Sequence, residues 1–130
     1  MPATLERLES LSVPVLGYGC DEFPAFYSAR SGCPVSARVD GPAETAAVLR
    51  AAWATGGQGV VVAVPPPAEL DEAEELTRQA LSELGDTTGA AVTPRLLARV
   101  AELSEGRSVE LNVRLVINNA RVAAEVARAF

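Results

Sequence analysis

Residues 60–64 read Val-Val-Val-Ala-Val, an unbroken apolar run led in by Gly59 and ended by three prolines at 65–67. A continuous β-branched run of this length predicts a strand covered on both faces, as strands of parallel sheets are. The residues before it predict the rest of a β-α-β unit. Residues 35–39 (VSARV) alternate apolar and polar, which suits a strand with one covered face. Asp40-Gly41-Pro42 punctuates, with Pro42 at the first helical position and Glu44 adding negative charge to the first turn. A helix through Ala46, Leu49 and Trp53 then stops near Gly56-Gly57. Residues 35–64 thus predict β-α-β with the usual right-handed crossover, and the fold class is α/β with a mainly parallel sheet.

The flanking segments add to this plan. Leu5, Leu8 and Leu11 predict a helix, so the chain is expected to begin inside an element. Residues 13–18 (VPVLGY) predict a buried strand ended by glycine, and residues 19–34 a loop with one short helical turn. An acidic helix is expected from about Ala68 to Leu84, with Asp71, Glu72, Glu74 and Glu75 as its first turn and solvated face. Thr93-Pro94 predicts another helix start, Thr as N-cap and Pro at the first position, with its end at Gly106. From 107 onward two periods compete. Val109, Leu111, Val113, Leu115 and Ile117 alternate like a strand, whereas the alanine-rich composition beyond 119 favours helix, so one long helix is expected.

Composition sets the chemical limits. At 130 residues, with 48% hydrophobic and 22% charged side chains, the chain has the size of one domain and is not of a disordered class. It has no His, and all eleven basic residues are Arg. Triads, Cys-His pairs, His-ligated zinc, a P-loop lysine and a lysine Schiff base are therefore excluded within these residues. Net charge is −6, with the arginines scattered among seventeen acids, which argues against nucleic acid as partner. An anionic small molecule stays compatible, because helix N-termini and a few arginines suffice to hold one. Cys20 and Cys33 match neither a redox pair nor a zinc knuckle and predict free thiols in a reducing, cytoplasmic setting. No leader or membrane-spanning run is expected.

Few polar residues stand where chemistry is expected. Asp21 and Glu22 follow the first strand, where a carboxylate serves as acid, base or metal ligand, or is simply a solvated loop charge. The GGQG turn at 56–59 leads into a strand, the wrong context for a phosphate loop. In the last helix Asn112, Leu115, Val116, Asn119, Val122, Ala123 and Val126 share one face. An amide on such a stripe either bonds neighbouring backbone or faces a pocket, where its paired donor and acceptor match a uracil-like edge.

Three segments carry a resemblance: VPVLGYGCDEFPAFYSARSGCPVSARVD, the helix ending AAWATGGQGVVVAV, and AVTPRLLARVAELSEGRSVELNVRLVINNARVAAEVA. In order and spacing they resemble the C-terminal part of the pseudouridine-5′-phosphate glycosidase family, which includes the indigoidine synthase A-like proteins. The resemblance implies an α/β/α layered fold, of which this chain is the incomplete C-terminal portion, and a homotrimer. It implies cleavage or formation of the C–C bond between uracil and ribose 5-phosphate, through an imine on a lysine, with a glutamate as acid/base and Mn2+ held through an aspartate. Those groups belong to the family's N-terminal part. The chain is then expected to be a fragment, a truncated product or half of a split gene, inactive alone and prone to self-association. Asn112 matches a family asparagine that contacts uracil; Asn118 and Asn119 match its NNA segment as weaker candidates. The chain departs from the family at Val64-Pro65-Pro66-Pro67-Ala68, at Cys20 in place of a common threonine, and in a shortened stretch before Thr93. The competing expectation is a non-catalytic interaction module or a degenerate remnant, pairing in the first case with a separately encoded N-terminal half.

Overall fold

Short β-branched segments flanked by turn residues become three strands, β1 (Val15–Tyr18), β2 (Ala37–Val39) and β3 (Val61–Ala63). The computed structural model describes residues 2–57, 59–70, 72–85 and 89–130; Gln58 of the GGQG turn and Asp71 of the acidic group lie outside the described residues. The strands form one parallel sheet in the order β2-β1-β3, with Leu16 opposite both Ala37 and Val62. The predicted β-α-β order over 35–64 is present, but β2 and β3 flank β1 instead of pairing. Helix α2 (Pro42–Ala54) therefore connects strands on either side of β1.

The ends of α2 follow from its sequence. Gly41 is the extended N-cap and Pro42 opens the helix, where its missing N–H costs nothing. Glu44 Oε2 accepts the Asp40 N–H at 2.7 Å, and the buried Thr45 hydroxyl donates to the Gly41 carbonyl at 2.8 Å. At the other end Gly56 has φ 85, and the N–H groups of Gly56 and Gly57 donate to Trp53 and Ala52. This is a Schellman closure, in which the left-handed position falls to a residue without Cβ.

Four expectations are corrected. The valine run is not covered on both faces: Ala63 is buried, but Val61, Val62 and Val64 are only partly so, because β3 lies at the edge of the described sheet. The acidic helix α3 runs Ala73–Glu83, not from Ala68. After the prolines, the Leu70 N–H donates to the Tyr27 carbonyl and Leu70 turns into the core, with Glu72 left-handed before the helix starts. Helix α4 spans Val92–Leu103, with Ala91 and not Thr93 at its N-cap, because a 3-10 turn over Gly89–Ala91 runs directly into it. Pro94 is tolerated there because first-turn N–H groups lack helical partners. The loop 19–34 has no helical turn; Ala25 and Ser28 exchange backbone hydrogen bonds around a tight turn at 26–27.

Helix α1 (Pro2–Ser10) buries none of its residues, whereas α5 (Arg107–Ala129) is the single long helix expected. The core-facing stripe of α5 is Ser108, Leu111, Leu115, Val122 and Val126. Its first half packs with Tyr27, Leu70, Leu76, Ala80 and Val100. Its second half packs with Ala46 of α2, and with Tyr18 and Val64. One helix thus ties two apolar clusters together.

Candidate functional site

Parallel strands all end on one side, and α/β folds bind ligands in the loops there. Those ends here are Tyr18, Val39 and Ala63. The loop leaving β1 doubles back at once: a Cβ on Gly17 would stand 2.0 Å from the Cys20 carbonyl oxygen, so only glycine permits the approach. The Gly19 N–H donates to the Val39 carbonyl at 2.8 Å, and the Cys20 thiol lies 3.8 Å from the Ala63 carbonyl. The first residues of the loop are thereby tied to the ends of both neighbouring strands. Cys20 and Cys33 are free thiols, as expected. Burial pushes the Cys20 thiol up and the nearby Arg38 offsets part of this, so the thiol is a weak nucleophile.

The two sequence-predicted acids separate in role. Asp21 is exposed and pairs with Arg38, whose Nη1 lies 3.1 Å from it while Nε lies 2.7 Å from Asp40. Glu22 turns into its own loop, where Oε2 accepts the N–H groups of Gly32 at 2.8 Å and Ser31 at 3.1 Å. These two backbone bonds, Gly32 first, hold the Glu22 carboxyl below the usual carboxylate range. A third carboxylate, not singled out from the sequence, completes the loop: Glu69 Oε1 accepts the Ala29 N–H at 2.7 Å and the Ser28 hydroxyl at 3.3 Å. Glu69 follows the proline run 40 positions beyond Ala29, so no local pattern marks it. Among the described residues no three Cys, Asp or Glu side chains are placed to hold a metal ion. With Asp21 on Arg38 and Glu22 on backbone amides, these residues do not fit a manganese site.

The loop also sets the position of α5. The Tyr27 ring is buried against Leu111 and Leu115. Burial raises its phenol pKa, and the adjacent Ser108 side chain offsets part of the rise. The Ser108 oxygen is itself fully buried without a hydrogen bond of normal geometry. Because Tyr27 belongs to the loop at the carboxyl end of β1, the first three turns of α5 lie at that end too. Asn112 is there, half-buried, and its amide makes no hydrogen bond among the described residues. Asn119 shares its side of the helix two turns on, roughly 10 Å away. It is exposed and lines a groove of about 540 Å³ between α2, β3 and α5, with Leu49, Trp53, Val62, Val122 and Phe130. Asn118 is about 100° further round the helix, and its Oδ1 accepts from Arg121 Nη2 at 3.0 Å. The structure thus brings Asn112 and Asn119 to one side and turns Asn118 away. The stripe expected to be buried is displaced: Val116 is 62% exposed and Ala123 is also exposed, so the two amides stand beside the buried face and not on it. Among the described residues no helix is long and apolar enough to cross a membrane.

The family model described as indigoidine synthase A like protein matches residues 1–129. A pseudouridine-5′-phosphate glycosidase of Paracoccus denitrificans is 47% identical over all of this chain and 45% of its own length. One of Herpetosiphon aurantiacus is 46% identical with the same coverage. Among solved structures, the prealnumycin C-glycosynthase AlnA in complex with ribulose 5-phosphate superposes with a TM-score of 0.83 at 32% identity, over 98% of this chain and 44% of that one. An indigoidine synthase A-like protein of Thermotoga maritima gives the same TM-score and identity, over 97% and 44%. The chain spans less than half the length of these relatives and corresponds to their C-terminal part. A match across all but the last residue, with the same fold at its strand ends, places the chain in the indigoidine synthase A-like family.

Proposed function

We propose that these residues form the C-terminal part of a pseudouridine-5′-phosphate glycosidase, which reversibly cleaves the C–C bond between uracil and ribose 5-phosphate. The observation that carries the reading is identity of 45–47% over the whole chain with relatives of that name. The geometry at the strand ends supports a share in it. Asn112 offers a donor pair and an acceptor with no internal partner among the described residues, and a uracil edge needs both. Asn119 stands beside it as a weaker contact; Asn118 is engaged by Arg121. An open-chain pentose 5-phosphate as the sugar half draws support from AlnA, which binds ribulose 5-phosphate. With C5 esterified, that ketose has no hydroxyl placed to close a five-membered ring.

The amine that would hold such a sugar as an imine has to come from beyond these 130 residues, which include no Lys. The acid/base glutamate and the manganese of the family reading likewise belong to the N-terminal part. The same reading takes the assembly to be a cytoplasmic homotrimer. The test is uracil release from pseudouridine 5′-phosphate with Mn2+. The purified chain is expected to show none, and the chain co-expressed with the N-terminal portion of the Paracoccus relative is expected to turn over. In that complex Asn112→Ala should lower kcat/KM by about 10–100-fold, the scale of leaving a buried polar group of the substrate unpaired. Turnover by the chain alone, or capture of its sugar phosphate on borohydride reduction, refutes the reading.

A second reading is a non-catalytic interaction module that pairs with a separate N-terminal half. It is favoured by the large apolar residues left exposed on α5. A complex that forms with the N-terminal portion yet releases no uracil supports it over the first.

A further inference from the structure

Helix α5 is apolar around far more of its circumference than it buries. Beyond the Asn112–Asn119 side stand Val109, Val113, Val116 and Ile117, all 52–64% exposed. At about 100° per residue these four form a single stripe, and Arg114 and Arg121 are confined to what remains. A helix of this pattern is normally covered on both sides. The stripe adjoins the groove in which Asn119 sits, whose other wall includes Trp53, Val62 and Phe130. Among the described residues β3 is an edge strand, and its valine-rich outer side, which has no strand partner there, bounds the same region. Contiguous apolar surface of this kind marks an interface.

The relatives indicate what covers it. They share this fold and more than half of each lies outside the match. We infer that the outer stripe of α5, the groove and the β3 edge are the docking surface for the N-terminal portion of the family fold. That portion extends the sheet at β3, covers Val113 and Ile117, and closes the Asn112–Asn119 side from water. The inference rests on the reading above in treating the chain as one part of a larger catalytic domain.

The test is co-expression of the full 130-residue chain with the N-terminal portion of the Paracoccus relative, followed by co-purification and titration. A stable one-to-one complex is expected. Val113→Arg/Ile117→Arg should weaken it about 100-fold or more, as loss of central apolar anchors does, and Val109→Arg/Val116→Arg should act likewise. Arg114→Ala, on the charged side, should leave binding within about 3-fold, as rim positions do. All these positions are exposed in the chain alone, so each variant should keep its helical circular dichroism. A folded stripe variant that binds like the parent overturns the inference, as does a closed homo-oligomer through this face that excess N-terminal portion does not displace. The two readings fail separately: binding that depends on the stripe without uracil release removes the proposed activity alone, and uracil release indifferent to the stripe removes the docking surface alone.

Discussion

At the scale of single residues, the loop at the end of β1 is held by carboxylates that accept from backbone. The Glu22 carboxyl is depressed by its bonds to Gly32 and Ser31, so its contribution is complete at neutral pH. It fades as the pH falls through and below the free carboxyl's usual value, about 4.3. Hydrogen-exchange protection factors of residues 23–33, taken relative to the intrinsic rate at each pH, should therefore fall on acidification. In Glu22→Gln protection should already be low at pH 7 and respond less to pH; parallel profiles for the two proteins would refute this role. Tyr27 titrates with the opposite sense. Its phenol is raised by burial, so its contribution is present below about pH 10 and is lost as the pH rises through the raised value. Ser108→Ala removes the hydroxyl that offsets part of this rise and should push the Tyr27 titration higher still, read by phenolate absorbance in a Tyr18→Phe background. Asp21 and Glu22 were visible in the sequence as a pair, but their separate uses were not. Each is decided by what stands across the loop, Arg38 in one case and the Gly32 amide in the other.

At the scale of elements, α4 and α5 meet through Glu105 and Gly106, both left-handed. The Gly106 N–H donates to Ala101 and the Glu105 N–H to Glu102, so the first helix closes as α2 does, but with a side chain at the position glycine favours. Glu105→Gly should raise stability by about 0.5–1 kcal/mol, the relief expected of a non-glycine residue in that conformation, less glycine's extra chain entropy. An unchanged or lower urea midpoint would count against it. Helix α5 offers a sharper contrast. Leu115 lies on the buried face and Val116 is 62% exposed. Leu115→Ala should cost about 2–4 kcal/mol and Val116→Ala less than about 0.5 kcal/mol, although the residues are neighbours. Choosing helix over strand for 107–129 was possible from composition. Which third of that helix is covered was not, because three faces carry apolar residues and the period alone ranks none of them.

At the scale of the whole molecule, the described residues leave a valine-rich edge strand, an apolar groove and the outer face of α5 uncovered. The chain alone should self-associate at micromolar concentration, and Val113→Arg/Ile117→Arg should suppress this. Light scattering that finds the parent monomeric would refute it. The element types, their order and the family were legible in the sequence because they rest on local signals: the valine run, glycine and proline punctuation, and the helical period. The shared side of Asn112 and Asn119 on α5 was legible for the same reason, as amides recurring with the helical repeat. The edge position of β3, the late start of α3 at Ala73, the Ala91 cap and the clamp of Glu69 on Ala29 came only from the tertiary structure. Each depends on a contact between segments far apart in the chain. Such contacts form where shapes and unpaired groups meet across space, and no period or propensity within a short window encodes them.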